Sequence, residues 1–473
     1  SLSYNGSTIS ANANVIVAPA AFQITSAPAS TIAALPFKVV ATAVNASGTP
    51  TPNFGLETAV QGVSPETVNF SLGALGTQAQ GCGLTASMLG VLGTPSKTAT
   101  GSGAITGSLT YTEAGAFNIQ VQQASTNYLG GAVTRPAAVQ TVAASGCGAV
   151  GSIPAYFQVN EGRVGTGKAN FYYSGEPVDL TVTARNALGN ATLLYDNRYG
   201  YSNPVLFSAN DVNGTAIAAT VGALSGTGSR AGTPLPANAF ANGAATLSAS
   251  AAAPLVFSFV PTPYAPTKVR LRAAEAAGNG VSSANGPTYS QTSEDIYEAR
   301  SGRLRIGGNF GSASGTLILP ITAEYWTGAS WLRNVSDTLY NGVSLHPIPV
   351  GALALQANAP LLKPGIGTAS TSPPNCLVSG ILTLQQGQCS LLLQPAGGIG
   401  MATVALNLGS TNSDASCLPS RPTSSGAVMP YLRGANGICI GSNIPGADPA
   451  ARATFGVYPP ETKRLIHVRE VFN

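Results

Sequence analysis

The sequence predicts an all-β protein made of three tandem β-sandwich modules. Its 473 residues suggest about three domains at roughly 150 residues per domain. Apolar and polar residues alternate in several segments, as in half-buried strands, whereas helical periodicity is hard to find. The 56 glycines and 33 prolines supply turns but stay below the share of ~25–30% that marks a disordered chain. Together these observations favour a sandwich architecture.

A repeated segment defines the first two modules. PAAFQI at 19–24 matches PAYFQV at 154–159, and the frame Thr-Ala-x-Asn-Ala-x-Gly recurs at 42–48 and 183–189. Since asparagine and glycine tolerate a positive φ, we expect a hairpin or a sheet-switching corner after each of these strands. The repeat spacing is about 140 residues, which is the length of one module. The predicted modules cover residues 1–148, 149–299 and 300–473.

Alternation also places individual strands. In the second module an apolar residue stands at every second position from Val178 to Ala184, which predicts a half-buried strand. The same pattern predicts closing strands at 117–121 and 268–273, and a strand at 316–326 in the third module. Further strands are predicted in the third module at 380–384, 389–393, 403–408, 452–458 and 464–472.

Charged residues are scarce. The chain has 22 basic and 18 acidic residues, or 8% charged, against about 25% in an ordinary soluble protein. The predicted first module carries three residues of each sign and no net charge. A neutral surface lacks the repulsion that keeps proteins apart, and sheet edges without charges can pair with another chain. We therefore expect self-association or contacts with fibre components, and a glycan is a further candidate partner.

The sequence also excludes several classes of protein. No cluster of Lys and Arg is interleaved with aromatic residues, so no nucleic-acid partner is expected. No window of 18 apolar residues exists, so no membrane span is expected. The chain opens at Ser1 without a basic and apolar leader, and we expect an exported protein whose signal peptide has been removed. The expected location is extracellular or at the cell surface.

The cysteines predict disulfides. They form an even set of six, none lies in a CxxC motif, and no histidine stands close enough to complete a zinc site. Disulfides persist outside the reducing cytosol, in agreement with export. Fifteen pairings are open to six cysteines, and pairing within modules favours 82–147, 376–389 and 417–439. The six are Cys82, Cys147, Cys376, Cys389, Cys417 and Cys439.

Several segments carry a likeness to known bacterial proteins. They are GRLRIGGNFG at 302–311, LPITAEYWTG at 319–328, RATFGVY at 452–458 and VRE at 468–470, with AAF at 20–22 and TPTPNFG at 49–55 upstream. They resemble the C-terminal domain of unknown function of MSHA pilus biogenesis proteins of the MshQ type. This resemblance implies an exported protein linked to type IV pili, and it brings no catalytic residues. The Thr-Ala-x-Asn-Ala-x-Gly frame is similar to immunoglobulin-like repeats of bacterial adhesins, which implies immunoglobulin-like sandwiches.

One segment has the glycines and lysine of a phosphate-binding loop. Residues 162–168 read GRVGTGK, and such a loop cradles phosphates at a helix N-terminus. However, Ala169 stands where a hydroxyl residue would reach magnesium, and residues 170–177 do not predict a helix. A surface loop is the expected structure.

Two histidines and a group of acidic residues are the candidates for catalysis. His346 lies in a predicted turn and His467 in the last predicted strand, and no nucleophile elbow accompanies either. Both are interpreted as polar surface residues. Two of the acidic residues Glu294, Asp295, Glu298 and Glu324 could serve a glycoside hydrolase as a carboxylate pair. Since arginines neighbour them, ion pairs at a domain joint are the preferred interpretation.

Aromatic side chains and one apolar segment are the candidate contacts. The tyrosine-rich loop with Tyr195, Tyr199 and Tyr201, together with residues 211–214, could stack on a sugar or hold calcium. Packing or a protein contact is the preferred interpretation of this loop, and ligand binding is the alternative. Trp326 and Trp331 flank one hairpin turn, where cross-strand packing is expected and sugar stacking is the alternative. Val15, Ile16 and Val17 could add a strand to a neighbouring molecule.

These observations predict a non-enzymatic, exported structural or adhesive protein of a bacterial surface appendage. No catalytic residue, metal or cofactor is expected. The alternatives are a carbohydrate-binding adhesin that uses the tryptophan hairpin or the tyrosine loop, and a secreted glycoside hydrolase.

Overall fold

The chain folds as an all-β protein, as predicted. A computed structural model describes residues 2–4, 7–9, 16–57, 64–73, 90–93, 96–141, 148–276, 280–285, 293–341, 343–357, 362–363, 377–378, 381–395, 399–411, 426–433, 438–439, 442–443 and 448–456. These residues form strands and short 3-10 turns, and no α-helix occurs among them. No helix in this part of the chain could cross a membrane.

The first module is a sandwich around one apolar core. Its sheets have the orders β3-β5-β8-β7, β11-β10-β6 and β4-β12-β9, while β1 and β2 form a separate hairpin. Val39, Leu109, Val121 and Val150 from these three sheets meet in the core. The strands are β1 (Leu2–Tyr4), β2 (Ser7–Ile9), β3 (Ala21–Ser26), β4 (Ser30–Ile32), β5 (Phe37–Val44), β6 (Val68–Leu72), β7 (Ser96–Gly101), β8 (Ala104–Leu109), β9 (Gly115–Phe117), β10 (Ile119–Gln123), β11 (Val139–Gln140) and β12 (Val150–Ile153).

The second module repeats this plan. Its sheets have the orders β13-β15-β18 and β14-β21-β20-β16, with β17 and β19 paired beside them. Alternate residues of β15 are buried, as the period of two predicts, and they face Phe207 and Leu271 of the second sheet across the core. The strands are β13 (Tyr156–Glu161), β14 (Phe171–Tyr173), β15 (Leu180–Arg185), β16 (Val205–Asn210), β17 (Gly222–Ser225), β18 (Ala244–Leu247), β19 (Val256–Phe259), β20 (Thr267–Glu275) and β21 (Ile296–Arg300).

The third module has two larger sheets. They have the orders β22-β24-β33-β30, with β25 also paired to β24, and β23-β37-β34-β29. Leu319, Leu391, Val404 and Phe455 from these two sheets share its core. The strands are β22 (Gly302–Ile306), β23 (Asn309–Gly311), β24 (Leu317–Trp326), β25 (Trp331–Arg333), β26 (Leu339–Tyr340), β27 (Val343–Ser344), β28 (Ile348–Pro349), β29 (Leu353–Ala357), β30 (Leu362–Lys363), β31 (Leu377–Val378), β32 (Ile381–Leu382), β33 (Gln388–Pro395), β34 (Gly400–Leu406), β35 (Ile438–Cys439), β36 (Ser442–Asn443) and β37 (Ala450–Phe455).

The predicted strands of the third module are found with small shifts at their ends. They correspond to β24, β32, β33, β34 and β37, whereas the strand predicted at 464–472 lies outside the described residues. Cys389 is buried in β33 and is disulfide-bonded. The side chains of the other five cysteines lie outside the described residues, so the pairing stays a prediction.

The repeated Asn-Ala-x-Gly frame forms the same tight turn in both modules. The Oδ1 atom of Asn45 accepts hydrogen bonds from the backbone N–H groups two and four residues later, at 3.0 and 2.9 Å. Asn186 makes the same two bonds, both at 3.0 Å. The glycines that close these turns, Gly48 and Gly189, have φ values of 81° and 84°, which glycine adopts without steric cost. The predicted turn is confirmed.

In each module an early strand lies beside a late strand and runs parallel to it. These parallel pairs are β4 with β12, β14 with β21 and β23 with β37. Because β12 closes the first module and leads directly into the second, the segment that connects the two modules is itself part of a sheet.

Candidate functional site: the joint between the second and third modules

Strand β14 belongs to two cores at once. Neighbouring residues of a strand point to opposite faces, and here both faces are covered. Tyr172 packs in the core of the second module, whereas Phe171 and Tyr173 pack in the core of the third. All three side chains are 3% exposed or less. We call the contact region around β14 the second joint.

A buried histidine connects the two modules at the second joint. His346 follows β27 of the third module and is 2% exposed. Its Nε2 atom lies 3.0 Å from Oε1 of Glu176, which follows β14 of the second module, and its Nδ1 atom lies 2.9 Å from Oδ2 of Asp337. The sequence interpretation of His346 as a surface residue is therefore wrong. His467, the other histidine, lies outside the described residues.

Arg163 provides a second positive charge beside Glu176. Its guanidinium donates to the Glu176 carboxylate and to the backbone carbonyl of Phe171, and it lies 3.8 Å from the centroid of the Tyr172 ring. The Glu176 carboxylate also accepts from the backbone N–H of Tyr173 at 2.7 Å. Glu176 thus binds partners from both modules.

The hydroxyl of Tyr173 extends this network within the third module. It donates to Oδ2 of Asp337 at 3.0 Å and accepts from Nδ2 of Asn334 at 2.7 Å. The Oδ1 atom of Asn334 in turn accepts from Arg300 of β21, at 2.6 Å. We call Arg163, Tyr173, Glu176, Asp337 and His346 the joint cluster.

Burial and charge act in opposite directions on the pKa values of the joint cluster. Burial disfavours the charged form of His346, but the carboxylates of Asp337 and Glu176 outweigh it and raise the His346 pKa to about 9. Burial would likewise raise the pKa of Glu176, but His346 and Arg163 lower it to about 2. At neutral pH the joint therefore holds an imidazolium between two carboxylates.

This arrangement holds the second and third modules together. Both ring nitrogens of His346 are held by carboxylates, and the ring is closed off from solvent. Removing one partner of such a buried pair leaves an uncompensated charge in the interior, which costs about 3–5 kcal/mol. The cluster consequently makes the relative position of the second and third modules costly to change.

The contact between the first and second modules, the first joint, is built differently. The backbone N–H of Ala187 in the second module donates to the carbonyl of Ala33 in the first, at 2.9 Å. Nδ2 of Asn186 donates to the carbonyl of Thr112 at 3.0 Å. Most of these partners are uncharged groups of the main chain.

A glycine and a tyrosine complete the first joint. Gly115 of the first module has a φ of 111°, and a Cβ atom there would lie 2.5 Å from the ring of Tyr201 in the second module. Ala114 packs into the core of the second module, and the carboxylate of Glu113 accepts from the backbone N–H of Leu194 at 3.2 Å.

The segment with the glycines of a phosphate-binding loop lies at the second joint. Residues 162–168 form turns, so they do not start a helix. The segment borders a cavity of about 210 Å³ that also contacts Asp179, Thr338 and Tyr340. Because the guanidinium of Arg163 is engaged by Glu176, the segment contributes to the joint cluster.

Three of the four acidic residues near the module boundary form ion pairs, as predicted, whereas the Asp295 carboxylate accepts from Asn160 and from the backbone N–H of Glu161. Glu294 pairs with Arg270 and Arg272 at 3.5 and 3.0 Å. Glu298 pairs with Arg300 at 2.6 Å. Glu324 of β24 pairs with two arginines of β22, the nearer at 2.6 Å.

The tyrosines of the tyrosine-rich loop pack against other parts of the chain. Tyr195 is 1% exposed and donates its hydroxyl to Glu275 at 2.8 Å, so it is a core residue and not a surface contact. Tyr199 is half-buried in a 3-10 turn, and Tyr201 packs on the first joint. At 211–214, arginine side chains donate to the carbonyls of Val212 and Gly214, and calcium binding there stays an untested alternative.

The tryptophan hairpin is present and the predicted donor segment is only partly described. Trp326 and Trp331 are cross-strand partners with ring centroids 5.7 Å apart and an interplanar angle of 61°. Both are half-buried. Val15 lies outside the described residues, while Ile16 and Val17 are 39% and 78% exposed.

The sequence does not predict the second joint, because its residues are far apart in the chain. Tyr173 and Glu176 meet residues of the third module that stand more than 150 positions later. One local signal was available. Three adjacent aromatic residues, 171–173, occupy a single strand, and since neighbours in a strand face opposite sides, both sides must be covered.

Comparisons with known proteins identify domains in most of the chain. Residues 113–301 match the model of DUF6701, third domain, and residues 300–471 match DUF6701, fourth domain. These matches support the predicted domain of unknown function, while the link to MshQ-type proteins stays a prediction. No curated protein sequence matches the chain.

Solved structures with tandem domains are similar to this chain at low scores. The I-band fragment I67–I69 from titin is 8% identical, with a TM-score of 0.27 over 94% of this chain and 100% of that one. The ICAM-5 D1–D4 ectodomain fragment is 8% identical, with a TM-score of 0.22 over 83% and 73%. The D00–D0 domain of intimin is 12% identical, with a TM-score of 0.18 over 53% and 90%.

Proposed function

Starting from a chain that carries the third and fourth DUF6701 domains, we propose a non-enzymatic structural or adhesive protein of the bacterial surface. It is exported and associates with a type IV pilus or another surface fibre. The observation that carries the proposal is the construction of the two joints. Each joint is a buried, hydrogen-bonded contact, and neither depends on a flexible linker.

Stiff joints keep the modules of an extended protein in fixed positions relative to one another. Interfaces between domains of one chain commonly permit relative motion unless they are large and apolar. Here β14 contributes side chains to two cores, and β12 connects the first two modules from within a sheet. A chain of this kind is suited to an extended element of an appendage.

The candidate catalytic groups are engaged in structural contacts. The carboxylates of Glu294 and Glu324 are each paired with two arginines. His346 has no free ring nitrogen. Within the described residues, no group of three His, Cys, Asp or Glu side chains is arranged so that it could hold a metal ion. These contacts support a role without catalysis.

Edge strands of the first module support self-association. β3 is an edge of the four-stranded sheet, and none of its residues, 21–26, is charged. Charged residues are a common protection of edges against pairing. β3 is therefore the edge at which a strand of a second copy, or of a fibre component, would add.

Immunogold electron microscopy of producing cells tests the proposal. An antibody raised against the purified chain should label surface filaments or the cell surface, and the same antibody preabsorbed with the chain is the control. Label confined to the cell interior would contradict it. Cross-linking mass spectrometry of sheared appendages should then recover links between copies of the chain, or between the chain and filament subunits.

A further inference from the structure

The outer face of one sheet in the third module carries an ordered set of aromatic and charged residues. Directly opposed residues of antiparallel strands lie on the same face. Trp326 opposes Trp331. In the next row Glu324 lies between Arg303 and Arg333. The alternate residues of β24, Leu319, Ile321 and Ala323, fill the core on the other side.

Contacts within this set hold it in place. Arg303 lies 4.1 Å from the centroid of the Trp331 ring and pairs with Glu324 at 2.6 Å. Arg305, which occupies the row after Arg303, lies 3.6 Å from the same carboxylate, and its side chain is 66% exposed. Arg333 is exposed and donates to Gln388. We call this set the tryptophan–arginine face: Arg303, Arg305, Glu324, Trp326, Trp331 and Arg333.

The charge of the tryptophan–arginine face differs from that of the chain. It holds three arginines and one acidic residue, while the whole chain carries a net charge of only +4 over 473 residues. The buried Arg303 offsets the charge of Glu324. Arg305 and Arg333 are therefore two exposed positive groups beside two half-buried indole rings.

We propose that the tryptophan–arginine face binds an acidic polysaccharide. The indole rings of Trp326 and Trp331 would stack on pyranose rings, which present an apolar face to aromatic side chains. The guanidinium groups of Arg305 and Arg333 would pair with carboxylates or sulfates on those sugars, since arginine matches such groups in charge and geometry. The inference rests on the proposed surface function, because a surface protein meets such polymers, and it names the ligand class of the adhesive role.

Binding of the purified full chain to immobilised polysaccharides tests this proposal. Polygalacturonate presents carboxylates, dextran sulfate presents sulfates, and neutral dextran is the uncharged comparison. We expect binding to both acidic polymers, little binding to neutral dextran, and weaker binding as salt is raised from 50 to 300 mM, since salt screens exposed charges. Failure to bind either acidic polymer overturns the inference and leaves the surface-labelling result untouched.

Variants of the face separate specific binding from general charge. Trp331→Ala should weaken binding about tenfold through the lost stacking. Arg305→Gln and Arg333→Gln should each weaken it about threefold. Arg452→Gln is the matched control, because Arg452 is exposed in β37 of the opposite sheet.

The inference is wrong if Arg452→Gln weakens binding as much as Arg305→Gln, because general charge would then explain the affinity. It is also wrong if duplex DNA of equal charge binds as tightly and Trp331→Ala has no effect on either ligand. Since Trp331 supports the hairpin, the thermal midpoint of each variant is compared with that of the parent chain. The exposed arginine variants decide the outcome should Trp331→Ala unfold the hairpin.

Discussion

Both joints connect neighbouring modules, but they do so through different interactions. At the first joint the modules are connected mainly by uncharged main-chain groups, and Tyr201 closes over Gly115. At the second joint a buried imidazolium and an arginine hold carboxylates from both modules. Main-chain hydrogen bonds keep their strength across the ordinary pH range, whereas buried ion pairs depend on the protonation of each partner. As the pH rises above neutral, the first joint should therefore change less than the second, because its carboxylate, Glu113, titrates in acid whereas the imidazolium of the second joint loses its proton in base.

Glu176→Gln is expected to have the largest effect on this comparison. The amide cannot balance the charges of Arg163 and His346, and leaving buried charges uncompensated costs about 3–5 kcal/mol. Denaturant unfolding of the full chain, followed by hydrogen exchange of peptides from each module, would measure the loss. Exchange should rise at the second joint and stay unchanged at the first.

Glu298→Gln is the matched control for that change. Glu298 also pairs with an arginine close to the second joint, but its side chain is 30% exposed. Ion pairs with access to water contribute about 1 kcal/mol or less. Equal losses of unfolding free energy for the two variants would show that the joint cluster stabilises the chain no more than a partly exposed ion pair does.

Raising the pH should weaken the second joint alone. The folded pKa of His346, about 9, lies above its usual value of 6.5. Its contribution to stability is therefore fully present below pH 6.5 and is lost as the pH rises through 9. The difference in pKa corresponds to about 3 kcal/mol, at about 1.4 kcal/mol per unit.

Hydrogen exchange between pH 6.5 and 9.5, corrected for the intrinsic rate, would measure this loss. Peptides that contain residues 171–176 and 343–348 should lose protection, and peptides that contain residues 112–117 serve as the internal control. The opposite sign holds for Glu176, whose lowered pKa of about 2 makes its contribution present above pH 4.5 and lost in strong acid. A uniform change at both joints would contradict the distinction between them.

The smallest effect is expected from the repeated turn. Asn45→Ala and Asn186→Ala each remove two bonds from backbone N–H groups of the turn. Asn45 also loses a bond from the Ser47 hydroxyl, which is exposed to water and contributes little, whereas Asn186 loses the part-buried bond that it donates across the first joint to Thr112. A hydrogen bond contributes about 1 kcal/mol, so Asn186→Ala should destabilise the chain by about 1 kcal/mol more than Asn45→Ala. Guanidinium unfolding of both variants would measure the difference. Equal midpoint shifts would show that the bond from Asn186 to Thr112 does not stabilise the first joint.

Local patterns were sufficient to predict much of the fold. The alternation around Val182 and the run from Leu317 to Tyr325 predicted β15 and β24, because one face of each strand is buried and the period of two follows. The Asn-Ala-x-Gly frames predicted tight turns, since the asparagine side chain and the glycine φ act within five residues.

The joints could not be predicted in the same way. The buried, charged state of His346 depends on Glu176, which stands 170 residues earlier in the chain. No periodicity in the sequence predicts a contact over that distance. Tyr195 is a similar case. Its neighbourhood in sequence is typical of a surface loop, but Glu275, 80 positions later, binds its hydroxyl in the interior.

The parallel pairing of early and late strands has a consequence for a chain under tension. If the ends of the protein are pulled apart, β4 and β12 are drawn in opposite directions along their own axes, and so are β14 with β21 and β23 with β37. The hydrogen bonds between such strands lie across the direction of pull and must rupture together, in shear, before a module can extend. Three parallel strand pairs loaded in shear, one in each module, would let the chain resist stretching along its whole length.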